Sequence, residues 1–409
     1  MELRPILSSL FRNKTGALLI AAQVALSLAI VANALYIIRD RLAVATRPSG
    51  VADESTIFHI SVAPLKDPDA SAIADLQKRD QALIASVPGV RSVAWTNQTP
   101  LNQSGWNMGL AVDPKQTVVS SRTAMYFGPD SLVKTLGLVL AEGRDFTEDD
   151  VALIDPKTTQ SLGKNAIVTK AVANKLAPGG SAVGKTVYLG TGDDALPLQI
   201  VGVVERLQSP WSQTGENGEL STIVSTRYLQ GYSIYLVRTD PGQRDRVMKD
   251  VEAALLKADR DRIVIQNKSL DADRFDRYRD DRAVAWLLLT VTAMLLLVTA
   301  SGIVGMATLW VNQRRKQIGV RRALGARRVD VLRYFITENV LITSGGIVVG
   351  LMLAMALNQL LVSQLEMARL PLGYLAVGSG LLWLLGVLAV YGPAWRASSI
   401  SPAIATRSA

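Results

Sequence analysis

Gly179-Gly180-Ser181-Ala182-Val183-Gly184-Lys185-Thr186 matches, letter for letter, the G-x-x-x-x-G-K-[ST] pattern that cradles nucleotide phosphates. Such a loop works because a strand enters it and a helix leaves it, so that backbone N–H groups and the helix dipole converge on the anion. Here the residue pattern predicts the reverse order: a helix over Ala171–Leu176 before the loop and a strand over Thr186–Leu189 after it. Val151–Asp155 ends in an acid as a Walker B strand does, but Pro156 follows and no LSGGQ-like signature occurs. The segment therefore reads as a turn. His59 is the single histidine and there is no cysteine, so neither a nucleophile–base pair nor a familiar metal-ligand spacing can be assembled. His59 is expected as a polar residue on a half-buried strand. Asp193-Asp194 and Glu148-Asp149-Asp150 lie in turn-like surroundings and read as solvated surface. The chain is expected to be non-catalytic, with no cofactor and no metal of its own.

A different kind of chemistry sits in Asn312–Arg333, NQRRKQIGVRRALGARRVDVLR. It carries eight Lys/Arg (Arg314, Arg315, Lys316, Arg321, Arg322, Arg327, Arg328, Arg333) against the single acid Asp330. Apolar Ile318, Val320, Ala323, Leu324, Val329 and Leu332 alternate with these bases, and Gly325 interrupts them. Gly325 weakens one helix and allows a second to begin near Ala326 and run through Arg333. The pattern predicts an amphipathic helical elbow, able to lie on anionic lipid or to dock into a soluble partner.

The elements that must position this elbow are long and apolar. Four runs lack Asp, Glu, Lys, Arg and His: Ala17–Ile38, Ala283–Val311, Val340–Leu361 and Leu372–Tyr391. Each has about the 20 residues that a membrane-spanning helix needs. The net charge of +9 lies outside residues 39–282, where 30 Lys/Arg face 31 Asp/Glu. Lys/Arg beside short spans favour the cytoplasm, which places both termini and the elbow inside and residues 39–282 outside. Confinement of the excess base to span flanks argues against nucleic acid as a partner. Near the N-terminus, the A-x-A at Ala32–Ala34 lies inside the apolar run, so an uncleaved signal anchor is expected. No ionisable group interrupts the four runs, which leaves no proton or ion relay through them. Gln23, Asn33, Thr292 and Ser301 are expected to pack between helices. Gly346–Gly350 forms G-x-x-x-G, for which packing within one bundle and dimerisation both stand open.

Residues 39–282 alternate strand and helix patterns, as an α+β domain does. Strands are predicted over Thr56–Val62, Val90–Thr96, Thr117–Ser120, Ala166–Val168, Thr186–Leu189, Leu198–Val204, Tyr232–Arg238 and Arg262–Gln266. Helices are predicted over Ser71–Val87 and Arg244–Ala258. Strand–helix–strand units at both ends of an inserted middle imply two lobes. Asp271–Arg282 runs without a breaker into the second apolar run, which predicts one continuous stalk helix. An outward domain without cysteine is not held by disulfides, and at this size it has no need to be.

KQIGVRRALGARRVDVLRYFITENVL resembles the cytoplasmic segment of FtsX-like permeases, the MacB/LolC/FtsX group also called type VII ABC transporters. Glu338 holds the place of that group's acid before its third span. Gly392-Pro393-Ala394-Trp395-Arg396-Ala397 through Ile400-Ser401-Pro402 resembles its closing PAxRA…ISP pattern. Val87-Pro88-Gly89-Val90, Leu136-Gly137-Leu138, Gly143-Arg144-Asp145-Phe146, Val183-Gly184-Lys185 and Ile200–Val204 resemble recurring words of the MacB periplasmic core. The phosphate-loop look-alike then falls in that family's "iGk" turn. Gln317 departs from the family's pattern, which has an acid there. MacB itself also carries a fused ATPase, and none is expected in this chain.

The resemblance implies an α-helical membrane protein with four transmembrane helices and a large α+β periplasmic domain, MacB-like and two-lobed, inserted between the first and second. The expected divisions are a cytoplasmic segment 1–16, a span 17–38, the periplasmic core 39–282, a span 283–311, a cytoplasmic coupling segment 312–335, a span 336–362, a periplasmic loop 363–371, a span 372–392 and a cytoplasmic tail 393–409. The function implied is that of a permease subunit in the bacterial inner membrane. It would turn ATP hydrolysis by a separate cytoplasmic ATPase, which binds the ATP and Mg, into periplasmic motion for efflux. Implied partners are ABC ATPase subunits, a second permease copy or paralogue in a dimer, a membrane-fusion protein with an outer-membrane channel, and membrane lipid. The residues implied in ATPase coupling are Gln317, Gly319, Arg321, Arg322, Ala323, Leu324, Gly325, Ala326, Val329, Asp330 and Arg333. Two alternatives are an FtsX-like regulator of cell-wall hydrolases and a membrane-anchored sensor without an ATPase.

Overall fold

The computed structural model describes residues 14–66, 68–158, 162–211, 218–365 and 369–399. The expected segments 1–16 and 393–409 therefore lie partly outside the described residues. The chain divides into two compact units, Val44–Asp280 and the sequence on either side of it. In chain order the helices are α1 (Lys14–Ala45), α2 (Ala70–Ser86), α3 (Leu132–Leu136), α4 (Lys170–Leu176), α5 (Arg244–Ala258), α6 (Leu270–Arg277), α7 (Arg279–Gln313), α8 (Arg315–Ala323), α9 (Arg328–Leu365) and α10 (Leu372–Ser398).

Within Val44–Asp280, the two strand–helix–strand units join in one sheet. Strands β1 (Ile57–Pro64) and β2 (Val90–Thr96) flank α2 in sequence. The other unit belongs to β12 (Ser233–Thr239), α5 and β13 (Arg262–Ser269), and the sheet order is β13-β1-β12-β2, all antiparallel. This is the β-α-β-β-α-β arrangement, with a long insertion between the second and third strands. Asp69 caps α2 by accepting the Ala72 N–H at 2.8 Å. That bond satisfies one of the orphan donors of the first turn. Ile84 of α2 and Val247, Val251 and Leu255 of α5 are buried in one cluster with Phe58, Ile60, Tyr235 and Val237, and Ile73 of α2 is also buried.

The insertion builds the second lobe. Its strands β3 (Asn107–Ala111), β4 (Ser121–Phe127), β5 (Leu140–Gly143), β7 (Asn165–Thr169), β8 (Thr186–Leu189), β9 (Leu196–Val204) and β10 (Ser221–Val224) form a seven-stranded sheet. The order is β5-β9-β7-β10-β4-β3-β8. A two-stranded sheet pairs β6 (Ala152–Ile154) with β11 (Thr226–Tyr228). The strand expected over Thr117–Ser120 does not form. Gln116 ties that stretch into a turn by donating to Val118 O at 2.5 Å, Val118 is exposed, and the strand begins instead at Ser121. The β-branched residues there satisfied local propensity, but burial selects Ala124–Phe127 for the sheet interior.

Two further expectations change. His59 lies on a strand buried on both faces, is itself fully buried, and meets Asp273 of α6 at 2.7 Å. Asp273 also takes an ion pair from Lys268 at 2.8 Å. The continuous stalk helix is broken at Tyr278 (φ −103°, ψ 14°) between α6 and α7. Tyr278 is buried with Val44, Ala45 and Leu101, and its hydroxyl donates to Gln208 Oε1 at 3.2 Å. Packing of one aromatic side chain into the domain sets the break, where helical propensity alone would have run through. The order around the phosphate-loop look-alike is as read from sequence: α4 precedes it and β8 follows.

Outside that domain, α1, α7, α9 and α10 are each long and apolar enough to cross a membrane. Some of their polar residues bridge helices, whereas Ser301, expected between helices, is exposed. Ser27 Oγ and Thr299 Oγ1 lie 2.8 Å apart between α1 and α7, and Asn33 donates across to Ala354 O at 3.1 Å. A Cβ at Gly346 would stand 2.7 Å from Ala21 O, and one at Gly350 2.9 Å from Ala25 O. The G-x-x-x-G motif thus seats α9 on α1 within one chain.

Candidate coupling segment

The basic elbow is a short helix between two sharp stops. At Arg314 (φ −100°, ψ 9°) α7 gives way to α8. At the other end Gly325 takes φ +98°, a left-handed value that glycine adopts without a Cβ clash. Ala326 N–H donates to Arg321 O at 3.0 Å and Gly325 N–H to Arg322 O at 3.2 Å, the paired bonds of a Schellman stop. Asp330 then accepts the Arg327 N–H at 2.9 Å, which caps the start of α9. The lone acid of the segment thus has a structural task. The second limb is longer than expected: α9 continues from Arg328 through Leu365, so it is the first turns of a long apolar helix.

Ile318 and Val331 are buried in a cluster with Ile20, Trp310, Phe335 and Ala394, which fixes the inner face of the elbow. Its outer face leaves apolar groups uncovered. Leu324 is 84% exposed, and Val320 and Val329 are each 51% exposed. Gln317, Arg321, Ala323, Gly325, Asp330 and Arg333 are exposed with them, Arg322 and Ala326 are half-buried, and Gly319 is buried. The Arg321 guanidinium lies 5.3 Å from the centroid of the Tyr334 ring. Ten of the eleven residues therefore reach the surface, and Gly319 does not.

The segment is anchored by a pair that spacing alone does not connect. Arg314 Nη1 lies 2.9 and 2.8 Å from the two oxygens of Glu338, which is 1% exposed. Arg314 also reaches Tyr334 Oη at 3.4 Å. The acid's place was marked by the resemblance, but its partner is 24 residues away and on another helix. With Gln317 neutral and exposed, the buried acid of this region is Glu338.

Residues 289–402 match the FtsX-like permease C-terminal family, and residues 18–254 match the MacB-like periplasmic core domain. This chain belongs to the MacB-like, FtsX-like permease family. The permease is 27% identical over 274 residues to the macrolide export ATP-binding/permease protein MacB of Chromobacterium violaceum, covering 65% of this chain and 40% of that protein. It is 27% identical over 287 residues to the pyoverdine export ATP-binding/permease protein PvdT of Pseudomonas putida, covering 64% and 39%. The permease thus spans about two fifths of the length of these relatives. The periplasmic region of MacB from Actinobacillus actinomycetemcomitans is similar at 16% identity with a TM-score of 0.32, over 55% of this chain and 92% of that one. The family is that of ABC-transporter permeases, with a periplasmic region and an inner-membrane setting.

Proposed function

We propose that this chain is the membrane subunit of an ABC export system, in which a separate cytoplasmic ATPase pushes on α8 and the start of α9. The observation that carries this reading is the uncovered apolar set Leu324, Val320 and Val329 on a rigidly stopped turn ringed by arginines. An exposed leucine on a fixed turn suits insertion into an apolar pocket, and the surrounding bases suit an acidic rim. α1, α7, α9 and α10 would be the four spans, with the elbow and both termini inside and Val44–Asp280 in the periplasm. α7 leaves Trp286, Leu287, Leu297 and Val298 largely exposed, a surface for lipid or a second permease subunit. The force would pass through α7 to the break at Tyr278 and into the domain, which would act on a periplasmic substrate. ATP and Mg would be held by the partner.

The test is to co-express Leu324→Asp and Val329→Asp variants with candidate cytoplasmic ABC ATPases from the same organism, beginning with one that co-purifies with the wild-type chain. A charge forced into an apolar socket costs a hot-spot contact, so association is expected to weaken about thirtyfold or more, with loss of stimulated ATP hydrolysis. Unchanged association and stimulation in both variants would remove the docking assignment.

A further inference from the structure

Tyr36, Arg39, Asp40 and Ala43 stand at i, i+3, i+4 and i+7 of α1 and so share one face. That face and the first turns of α10 line a mostly apolar groove of about 690 Å³, with Gly373, Tyr374 and Val377 on the opposite wall. Arg39 is held in place: its Nη1 donates to Tyr374 Oη at 2.8 Å, and its guanidinium lies 6.0 Å from that ring's centroid. The Tyr36 and Tyr374 rings meet edge to face at 5.4 Å. Most of the five guanidinium donors of Arg39 remain available. Beside it, the Asp40 carboxylate has no ion-pair partner among the described residues. Gly373 keeps the groove open, since a Cβ there would meet nothing within 4 Å.

The placement of these charges decides the ligand class. They stand just past Ile38, where the uncharged run of α1 ends, so they fall at headgroup depth if α1 spans the bilayer. The tyrosine pair fits an interfacial aromatic belt, and Val377 lies one helical turn deeper. A purely apolar ligand has no use for two fixed charges. A simple anion would meet Asp40 without compensation. A molecule carrying a phosphate, a primary ammonium and an acyl chain satisfies all three surfaces.

We propose that this groove is a binding site for a phosphatidylethanolamine-type phospholipid. Its phosphate lies on Arg39, its ammonium donates to Asp40, and an acyl chain runs along Val377. A choline headgroup has no N–H to give Asp40, and a glycerol headgroup has no cation at all. The assignment rests on α1 and α10 crossing the membrane. The groove shares no residue with the α8–α9 turn, so the two readings fail separately.

The experiment is native mass spectrometry of the full chain taken from vesicles of equal phosphatidylethanolamine, phosphatidylcholine and phosphatidylglycerol. The wild type is expected to retain the ethanolamine lipid about tenfold above the others, the scale of a charge-assisted hydrogen bond at a partly hydrated surface. Asp40→Asn should bring the three lipids close to parity, and Arg39→Gln should lower retention of all three. Gly373→Leu should fill the groove and lower retention with both charges intact, which keeps the test usable if a charge variant misfolds. Retention in bilayer proportion by the wild type would overturn the assignment. So would preference for the choline or glycerol lipid, or an ethanolamine preference that survives Asp40→Asn. Lipid selectivity lost with ATPase co-purification kept would remove this site alone.

Discussion

Arg274→Met removes the clasp that ties α6 to the chain emerging from α1. The Arg274 guanidinium donates to both oxygens of Glu54 at 2.6 Å, and to the carbonyls of Arg47 and Ala45 at 3.0 and 3.3 Å. Glu54 also accepts from the Ser49 hydroxyl. The two charged side chains are only 16% and 19% exposed. Removing one partner of a fully buried pair costs about 3–5 kcal/mol, because the other charge is left uncompensated. Here partial hydration and the Ser49 contact soften the loss, so about 2–4 kcal/mol is expected. For a unit the size of Val44–Asp280 this corresponds to a fall in Tm of roughly 4–16 °C. Thermal unfolding of the full chain in detergent, followed by near-ultraviolet circular dichroism, reads it directly. Arg274→Lys keeps the charge but cannot make the fork-shaped bidentate contact, so it should fall between wild type and Met. Glu54→Gln combined with Arg274→Met should lose much less than the sum of the single losses. If both Arg274 variants melt within 1 °C of wild type (about 0.3 kcal/mol), the Arg274–Glu54 clasp does not stabilise the fold.

The remaining predictions concern other parts of the molecule. Arg314→Leu takes the guanidinium away from the Glu338 carboxylate, which is 1% exposed, and should cost about 1.5–3 kcal/mol, the scale of a charge-assisted hydrogen bond, while Arg314→Leu with Glu338→Leu should lose less than the sum of the two single losses in the same melt. Gly346→Leu drives a side chain into Ala21 O and Val24 and should lower the melting temperature, whereas Gly345→Ala, where a Cβ meets nothing within 4 Å, should melt near wild type. The Arg144 guanidinium, with help from Thr147, holds the Asp150 carboxyl well below the usual carboxylate range. The folded state therefore binds that proton less readily than the unfolded chain. Its stabilising effect is complete above about pH 4 and is lost as the pH falls through the depressed value. Asp150→Asn should accordingly melt lower than wild type at pH 7, and the gap should shrink on acidification. An equal gap at pH 3 and pH 7 would refute the linkage.

The sequence by itself determined the four long apolar helices, the elbow between two of them and the two-lobed α+β domain. Each rests on a local signal: uninterrupted apolar length, a glycine stop among bases, and strand–helix–strand periodicity with turn residues between. It also disposed of the phosphate-loop look-alike, because the order of helix and strand around Gly184 is written in the flanking residues. Only the tertiary structure decided which distant residues meet. Nothing in the spacing joins Arg314 to Glu338, His59 to Asp273, or Arg274 to Glu54, since each pair is closed by packing of separate elements. The break at Tyr278 is of the same kind: helix propensity favoured one unbroken stalk, and burial of one ring among Val44, Ala45 and Leu101 overrode it. The choice for Gly346 and Gly350 between intramolecular and intermolecular packing also fell to the structure, because a small-residue motif specifies close approach and not the helix that approaches. Local periodicity fixes elements through backbone geometry. Pairing of charges and seating of aromatics depend on where the elements come to rest.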